Sequence, residues 1–219
     1  MISLIRSMNF SGILIYVIAV ALSMGIHESA HALAAYWMKD PTARRMGRVS
    51  LNPFAHIDWM GVACFLLFGF GWAQPVEINP WNFKDPKLGS ALSALAGPLS
   101  NFLLSFVFIF LFYLAQILGM PSTGFGGFIY SLLSQTAILS AGFGVFNLLP
   151  IPPLDGAKVF FSFLPDREYF KLNNPPAWVT FALMLLIVSG LLSTPLSMMR
   201  GTLINWMSSG SMAILSLFL

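Results

Sequence analysis

Long apolar stretches separated by polar ones dominate the pattern of this chain. The four longest cover residues 10–38, 90–118, 125–149 and 177–199. Because an α-helix rises about 1.5 Å per residue, about 20 apolar residues cross the roughly 30 Å hydrocarbon layer of a bilayer. Each stretch is long enough, so the pattern predicts four membrane-spanning helices.

Three shorter apolar segments accompany these spans. Residues 60–70 are too few to cross a bilayer, which predicts a re-entrant or tilted segment. Residues 156–164 predict a short apolar helix, and residues 201–219 predict a short extra helix or one in the membrane interface. The expected fold is an all-α polytopic membrane protein, a helical bundle of about 4–6 transmembrane segments.

The polar stretches add two local expectations. Residues 48–53 alternate in polarity and predict a short strand near the membrane surface. Together with residues 60–70, they would form a short re-entrant or β element. Residues 166–174 are charged and predict a loop.

The composition agrees with a membrane protein. Of the 219 residues, 57% are hydrophobic and 9% are charged, against about 25% charged residues in soluble domains. We expect one integral-membrane domain over residues 1–219, with a core at about 11–164 and C-terminal helices at about 177–219. Cys64 is the only cysteine, which excludes disulfides within the chain and zinc sites built on cysteine. No basic patch interleaved with aromatic residues occurs, so nucleic acid is not an expected partner.

Charges in the polar stretches predict the orientation of the chain. Positive residues cluster after the first span and after the third: Lys39, Arg44, Arg45, Arg48, Lys158, Arg167 and Lys171. The connection at residues 118–126 carries no charge. Because cytoplasmic loops are enriched in Lys and Arg, we expect both positive clusters, and the re-entrant or β element, on the cytoplasmic side.

The first span contains the candidate chemistry. The acidic and basic side chains of residues 10–38 all belong to His27-Glu28-Ser29-Ala30-His31. A charged group at membrane depth costs at least a few kcal/mol, so it marks a functional site. Helical spacing puts the two imidazoles on one face, about 6 Å apart along the axis. Two zinc ligands need this spacing, with the intervening Glu free to act on a metal-bound water. A chance match to the pattern is the alternative, which the apolar surroundings disfavour.

A catalytic zinc site also needs a third protein ligand and an open position for water. His56 is the only other histidine, and Asp155 is the carboxylate that follows the third span and its Pro-rich end. Asp155 follows a Pro-rich run that breaks the helix, which is tolerated at membrane depth only beside a cavity or packed protein. The alternative for Asp155 is an N-cap on the helix that begins at Gly156. For His56, an interfacial or supporting position is favoured over ligation.

Three motifs follow one another along the chain. They are His27-Glu28-x-x-His31, Gly97-Pro98-x-x-Asn101 and Asn147-x-x-Pro150-x-Pro152-x-Leu154-Asp155-Gly156. Their combination and order resemble the site-2 protease family of intramembrane zinc metalloproteases, peptidase family M50, over residues 11–164. The run Arg48-Val-Ser-Leu-Asn52-Pro53-x-x-His56-Ile-Asp58 is similar to the short prokaryotic branch without PDZ or CBS domains.

The resemblance implies a site and an activity. His27, His31 and Asp155 would bind one zinc ion per chain, and Glu28 would be the general base for the zinc-activated water. Asn147 would lie beside them, either as a hydrogen-bond donor to the oxyanion or as a cap on a helix end. The activity would be hydrolysis of peptide bonds within or next to transmembrane segments of protein substrates, by a zinc metalloendopeptidase in a prokaryotic cell membrane. The active site would face the cytoplasmic side, and the partners would be the substrate helix and the lipid bilayer.

Two other classes of protein fit parts of this pattern. A membrane metal-ion transporter would usually place several carboxylates along a path, whereas the three later spans contain none. A non-catalytic relative that binds a transmembrane helix would be expected to lack Glu28 or a ligand, and all are present.

Two expectations concern the substrate. Phe68-Gly69-Phe70, followed by Gly71, offers bulky side chains to close a gap and glycines that let them move. Fixed packing against the second span is the alternative. An unwound substrate would pair by β-augmentation with the strand expected at residues 48–51.

Overall fold

The computed structural model describes residues 10–50, 52–56, 58–61, 64 and 74–218. Its α-helices are α1 (Phe10–Trp37), α2 (Thr42–Arg45), α3 (Pro86–Ile117), α4 (Gly124–Asn147), α5 (Asp155–Phe161), α6 (Asp166–Leu172), α7 (Ala177–Val188) and α8 (Ser193–Leu215). Two 3₁₀ helices cover Pro53–His56 and Pro80–Asn82. The described residues contain no β-strand, which confirms the all-α class.

Helices α1, α3 and α4 form the core. They have 28, 32 and 24 residues, are long and apolar enough to cross a membrane, and coincide with the first three predicted spans. All three pack against one another. Alanines occupy much of the contact and are at most 3% exposed: Ala19, Ala32, Ala35, Ala94, Ala137 and Ala141. Small side chains let helices approach closely in lipid, where close packing rather than hydrophobic burial drives association.

The fourth predicted span, residues 177–199, is not one straight helix. Helix α7 ends at Val188 and α8 begins at Ser193, with an angle of 76° between them. Gly190 has a φ of +75°, a left-handed conformation that suits glycine and commonly ends a helix. Most of residues 201–219, expected as a separate short helix, continues α8, which packs on α3 and α4. The bent pair makes four spans if it counts as one.

The strand predicted at residues 48–53 does not form in the part of this segment that is described. Residues 48–50 are irregular, and Pro53–His56 is a 3₁₀ helix. The Ser50 carbonyl accepts hydrogen bonds from the side chains of Ser29 and His56, so side chains take the place of a strand partner. Leu51 lies outside the described residues, as do residues 62–63 and 65–73, with Phe68 and Phe70. The re-entrant segment and its gate therefore stay predictions.

The charged residues 166–174 form helix α6 rather than the predicted loop. Asp166 and Glu168 lie in its first turn and Lys171 in its last, an arrangement that complements the helix dipole. Lys87 Nζ, in the first turn of α3, lies 2.9 Å from Asp166 Oδ1. This ion pair connects α6 to the start of α3.

Asp40 connects the end of α1 to the segment that precedes α3. Its side chain is fully buried and accepts hydrogen bonds from the backbone N–H and hydroxyl of Thr42, the backbone N–H of Asn79 and the side-chain amide of Asn82. Burial alone would raise the pKa of Asp40, but the hydrogen bonds from Thr42, Asn82 and Asn79 outweigh it and lower the pKa below 3.8. The folded state therefore favours the ionised carboxylate.

We expect Asp40→Asn to destabilise the fold by about 1–3 kcal/mol at pH 7, because charged hydrogen bonds become neutral ones and one donor loses its acceptor. A lowered folded-state pKa adds stability above the unfolded pKa, and this stability is lost as the pH falls through the folded pKa. The parent should therefore lose stability below about pH 4, and the variant should lose less. Thermal unfolding in detergent at pH 7 and at about pH 3 measures the loss of stability in each protein. Equal losses in both proteins would contradict it.

Candidate metal centre

Three ligand-type atoms from two helices meet at one point. His27 and His31 lie one turn apart on α1, and Asp155 is the first residue of α5. Asp155 Oδ2 lies 3.1 Å from His27 Nε2 and 3.2 Å from His31 Nε2. The two Nε2 atoms are 3.0 Å apart. The spacing predicted from the sequence therefore does bring both imidazoles together with Asp155.

The geometry of this cluster fits zinc. Zinc–ligand bonds of about 2.0–2.1 Å in a tetrahedron place the ligand atoms about 3.3 Å apart, and the three atoms are 3.0–3.2 Å apart. The side chains of His27 and His31 are 9% and 8% exposed. A metal ion needs several His, Cys, Asp or Glu side chains close together. Among the described residues, the group that meets this requirement is His27, His31 and Asp155. Three protein ligands leave a fourth position, as catalytic zinc sites require.

Hydrogen bonds behind the imidazoles orient them. His31 Nδ1 lies 2.7 Å from the Ser93 carbonyl oxygen. A carbonyl only accepts, so His31 donates from Nδ1, and in the neutral imidazole this leaves Nε2 unprotonated within the cluster. His27 Nδ1 lies 3.0 Å from the side-chain amide nitrogen of Asn101. Both partners lie on α3.

Gly97 lets α3 approach the two imidazoles. A Cβ at this position would overlap His31 and lie 2.7 Å from His27 Cε1. Pro98, the next residue, lies inside α3 and has no N–H for the helix bond to the i−4 carbonyl. The Gly-Pro pair thus places helix backbone directly against the histidines.

Asp155 faces the histidines and does not occupy the N-cap position, which was the alternative considered for it. The N-cap of α5 is Leu154, which makes no capping hydrogen bond. A Cβ on Gly156 would overlap the carbonyl groups of Leu148 and Leu149. Glycine therefore allows the first turn of α5 to pack against Leu148 and Leu149, directly after α4, which brings Asp155 to the cluster.

Comparison with known proteins gives the family. The model of "Peptidase family M50" matches residues 122–189. "Putative zinc metalloprotease YwhC" of Bacillus subtilis (strain 168) is 36% identical over 209 residues, which are 92% of this chain and 90% of that protein. The chain belongs to peptidase family M50, the site-2 protease family. "Putative zinc metalloprotease Rip2" of Mycolicibacterium smegmatis is 27% identical over 84% of this chain and 71% of its own length. No solved structure matches the chain.

Glu28 of this M50 chain is held beside the cluster by a contact that the sequence did not predict. Its Oε2 accepts a hydrogen bond of 3.0 Å from the backbone N–H of Val76. Residues 74–79, which include Val76, lack regular secondary structure. The Gln74 N–H donates to the His56 carbonyl, and the Asn79 N–H donates to Asp40, each at 2.8 Å. The segment is therefore fastened on both sides of Val76.

A cavity of about 520 Å³ adjoins the cluster and contains Glu28. Its apolar wall includes Met24, Ile78, Phe143 and Phe146, together with Val76. Lys158, one turn beyond Asp155 on α5, also lines it. From the sequence alone, Lys158 is only one of the positive charges that predict the orientation of the chain. Lys158 is three residues after Asp155, and residues at this spacing lie on the same face of a helix. This spacing is the sequence signal that could have placed Lys158 near the metal centre.

Asn147 both lines this cavity and bonds the end of its own helix. It is the last residue of α4, and its side-chain nitrogen donates to the Phe143 carbonyl at 3.1 Å. An amide nitrogen has a second N–H, which this bond leaves available. The two roles considered for Asn147 are therefore compatible.

His56 lies behind α1, away from the ligand cluster. Its side chain is 1% exposed, and its Nε2 is 3.1 Å from Ser29 Oγ and 2.9 Å from the Ser50 carbonyl oxygen. Ser29 is two residues from each ligand histidine and so points to the opposite face of the helix. This position fits the supporting role that the sequence analysis favoured for His56.

Proposed function

We propose that this M50 chain is an intramembrane zinc metalloprotease, which hydrolyses peptide bonds within or next to transmembrane segments of membrane-protein substrates. The observation that carries the proposal is the convergence of His27, His31 and Asp155 on a cavity that also contains Glu28. This cavity adjoins three helices apolar enough to span a membrane. The proposal is also supported by the names of two relatives, each of which is called a "Putative zinc metalloprotease".

One zinc ion per chain would be held by His27, His31 and Asp155. Bound there, zinc would supply Lewis acidity, which polarises a carbonyl and makes water a stronger acid. The Ser93 carbonyl keeps His31 in the tautomer that can bind a metal.

Glu28 would act as the general base. One carboxylate oxygen accepts the Val76 N–H, which leaves the other to take a proton from the attacking water. The water oxygen bonds to the scissile carbonyl carbon, the carbon–nitrogen bond breaks, and Glu28 returns the proton to the leaving amine. Asn147 would donate its remaining N–H to the developing oxyanion, a contribution of about 3 kcal/mol where the geometry is good.

The site would face the cytoplasmic side of a cell membrane. The cluster lies in the last three turns of α1, and a positive cluster follows that end: Lys39, Arg44, Arg45 and Arg48. Cytoplasmic loops carry an excess of such residues. A substrate helix would have to unwind locally, because its own hydrogen bonds protect its peptide bonds in lipid.

Zinc removal tests the proposal against the two other classes. In vesicles that hold the purified chain and a model protein with one transmembrane helix, we expect cleavage to stop with a zinc chelator and resume when zinc is added. The vesicles should take up no zinc. Zinc uptake without cleavage would indicate a transporter, and binding of an intact substrate would indicate a non-catalytic helix-binding protein.

A further inference from the structure

Asn101 is fully buried where three helices meet. It lies on α3, one turn beyond Gly97, and is 0% exposed. Its amide nitrogen is 3.0 Å from His27 Nδ1. Ser140 of α4 lies behind it, with Oγ 2.9 Å from the Asn101 backbone carbonyl oxygen and 3.2 Å from Asn101 Oδ1. These hydrogen bonds connect Ser140 on α4, through Asn101 on α3, to the ligand His27 on α1.

The metal imposes a condition on the far side of each imidazole. A neutral histidine that binds a metal through Nε2 carries its proton on Nδ1, and that proton needs an acceptor. The Ser93 carbonyl meets this condition for His31. For His27, the described group next to Nδ1 is the Asn101 amide.

The amide meets the condition in only one of its two orientations. With the nitrogen toward His27, the amide donates to an unprotonated Nδ1, so the imidazole proton lies on Nε2 and blocks metal binding. A half-turn of the amide brings Oδ1 to Nδ1 and the nitrogen to Ser140. Ser140 then accepts from the nitrogen and still donates to the Asn101 backbone carbonyl. The side chains of His27, Asn101 and Ser140 therefore all keep a hydrogen-bond partner.

We propose that Asn101 is a positioning residue for the metal site, whose side-chain oxygen accepts the Nδ1 proton of His27 while Ser140 holds the amide in that orientation. The inference rests on the zinc site proposed above. It assigns the two histidines different supports, since a backbone carbonyl holds His31 and a replaceable side chain holds His27.

Zinc affinity, measured by competition with a chromogenic chelator in detergent, tests this role. Asn101→Leu keeps a similar volume without an acceptor, and we expect zinc affinity to fall about 10–100-fold, as when the hydrogen-bond partner of a ligand histidine is lost. Asn101→Asp keeps an acceptor and should retain an affinity close to that of the parent. Ser140→Ala should give a smaller loss than Asn101→Leu.

The visible spectrum of the cobalt-substituted protein adds a readout of ligand geometry. Parent and Asn101→Asp should give matching spectra, and Asn101→Leu should give a weaker or shifted one. Unchanged zinc affinity in Asn101→Leu, or equal losses in the Leu and Asp variants, would overturn the inference. If Asn101→Leu does not fold, the other two variants decide. Parent-like zinc affinity in Ser140→Ala together with a loss of zinc affinity in Asn101→Asp would then overturn the inference. If the parent itself binds no zinc, the proposed function fails instead.

Discussion

Replacing Glu28 by glutamine should abolish hydrolysis of a transmembrane substrate and leave zinc bound. The loss should be at least about 100-fold, since positioned general bases contribute about 10²–10⁴-fold. Glutamine keeps the size of the side chain and an oxygen that can accept the Val76 N–H, but it cannot take the proton of the attacking water. Cleavage rate, zinc content and thermal unfolding are measured on the same sample. They check, in turn, that hydrolysis is lost, that zinc stays bound and that the fold is intact.

Glu77→Gln is the matched control for this experiment. Glu77 is exposed and lies next to Val76 in the segment that contacts Glu28, so its replacement removes the same charge without touching the cavity lining. We expect parent-like cleavage in this variant. Retention of more than a few per cent of the parent rate in Glu28→Gln would remove Glu28 from the role of base.

Replacing Asp155 by alanine should release the metal. One of three protein ligands is lost, so zinc affinity should fall by at least about 100-fold, the upper end of the effect of losing a ligand's hydrogen-bond partner, and cleavage should stop. Asp166→Ala, at an exposed carboxylate on α6, should leave zinc affinity unchanged. The measurement is zinc affinity by chelator competition.

His56→Ala decides between the two candidates for the third ligand. The variant should keep its zinc, because His56 contacts Ser29 and Ser50 behind α1 and is not part of the ligand cluster. We expect the substitution to lower the stability of the fold, since it removes a buried side chain together with its hydrogen bonds to Ser29 and Ser50. Unchanged zinc affinity in Asp155→Ala with a loss in His56→Ala would show that His56, and not Asp155, is the third ligand.

The sequence predicts those parts of the site that depend on local geometry. The spacing of His27 and His31 is a property of one helix, so the convergence of their imidazoles follows from the pattern alone. The relation of Asp155 to them is a matter of long-range packing, and the family motif supplied it. The structure then explains it through Gly156, which lets α5 pack against Leu148 and Leu149, directly after α4.

Contacts made by backbone groups could not be predicted in the same way. Every residue has a backbone carbonyl, and every residue except proline has a backbone N–H. The residue types of Val76 and Ser93 therefore do not mark them as partners of Glu28 and His31. The strand expected at residues 48–53 is absent from the described residues of that segment for a related reason. An alternating pattern does not reveal that side chains of Ser29 and His56 take the Ser50 carbonyl.

Mass spectrometry of the products from a model transmembrane substrate tests the central claim most directly. The parent chain, supplied with zinc in vesicles, should produce two fragments whose new ends lie within or next to the transmembrane segment, in its cytoplasmic half. Together, the two masses should exceed that of the substrate by one water. An intact substrate in the presence of the zinc-loaded parent, or a cut only in a loop far from the membrane, would contradict the account.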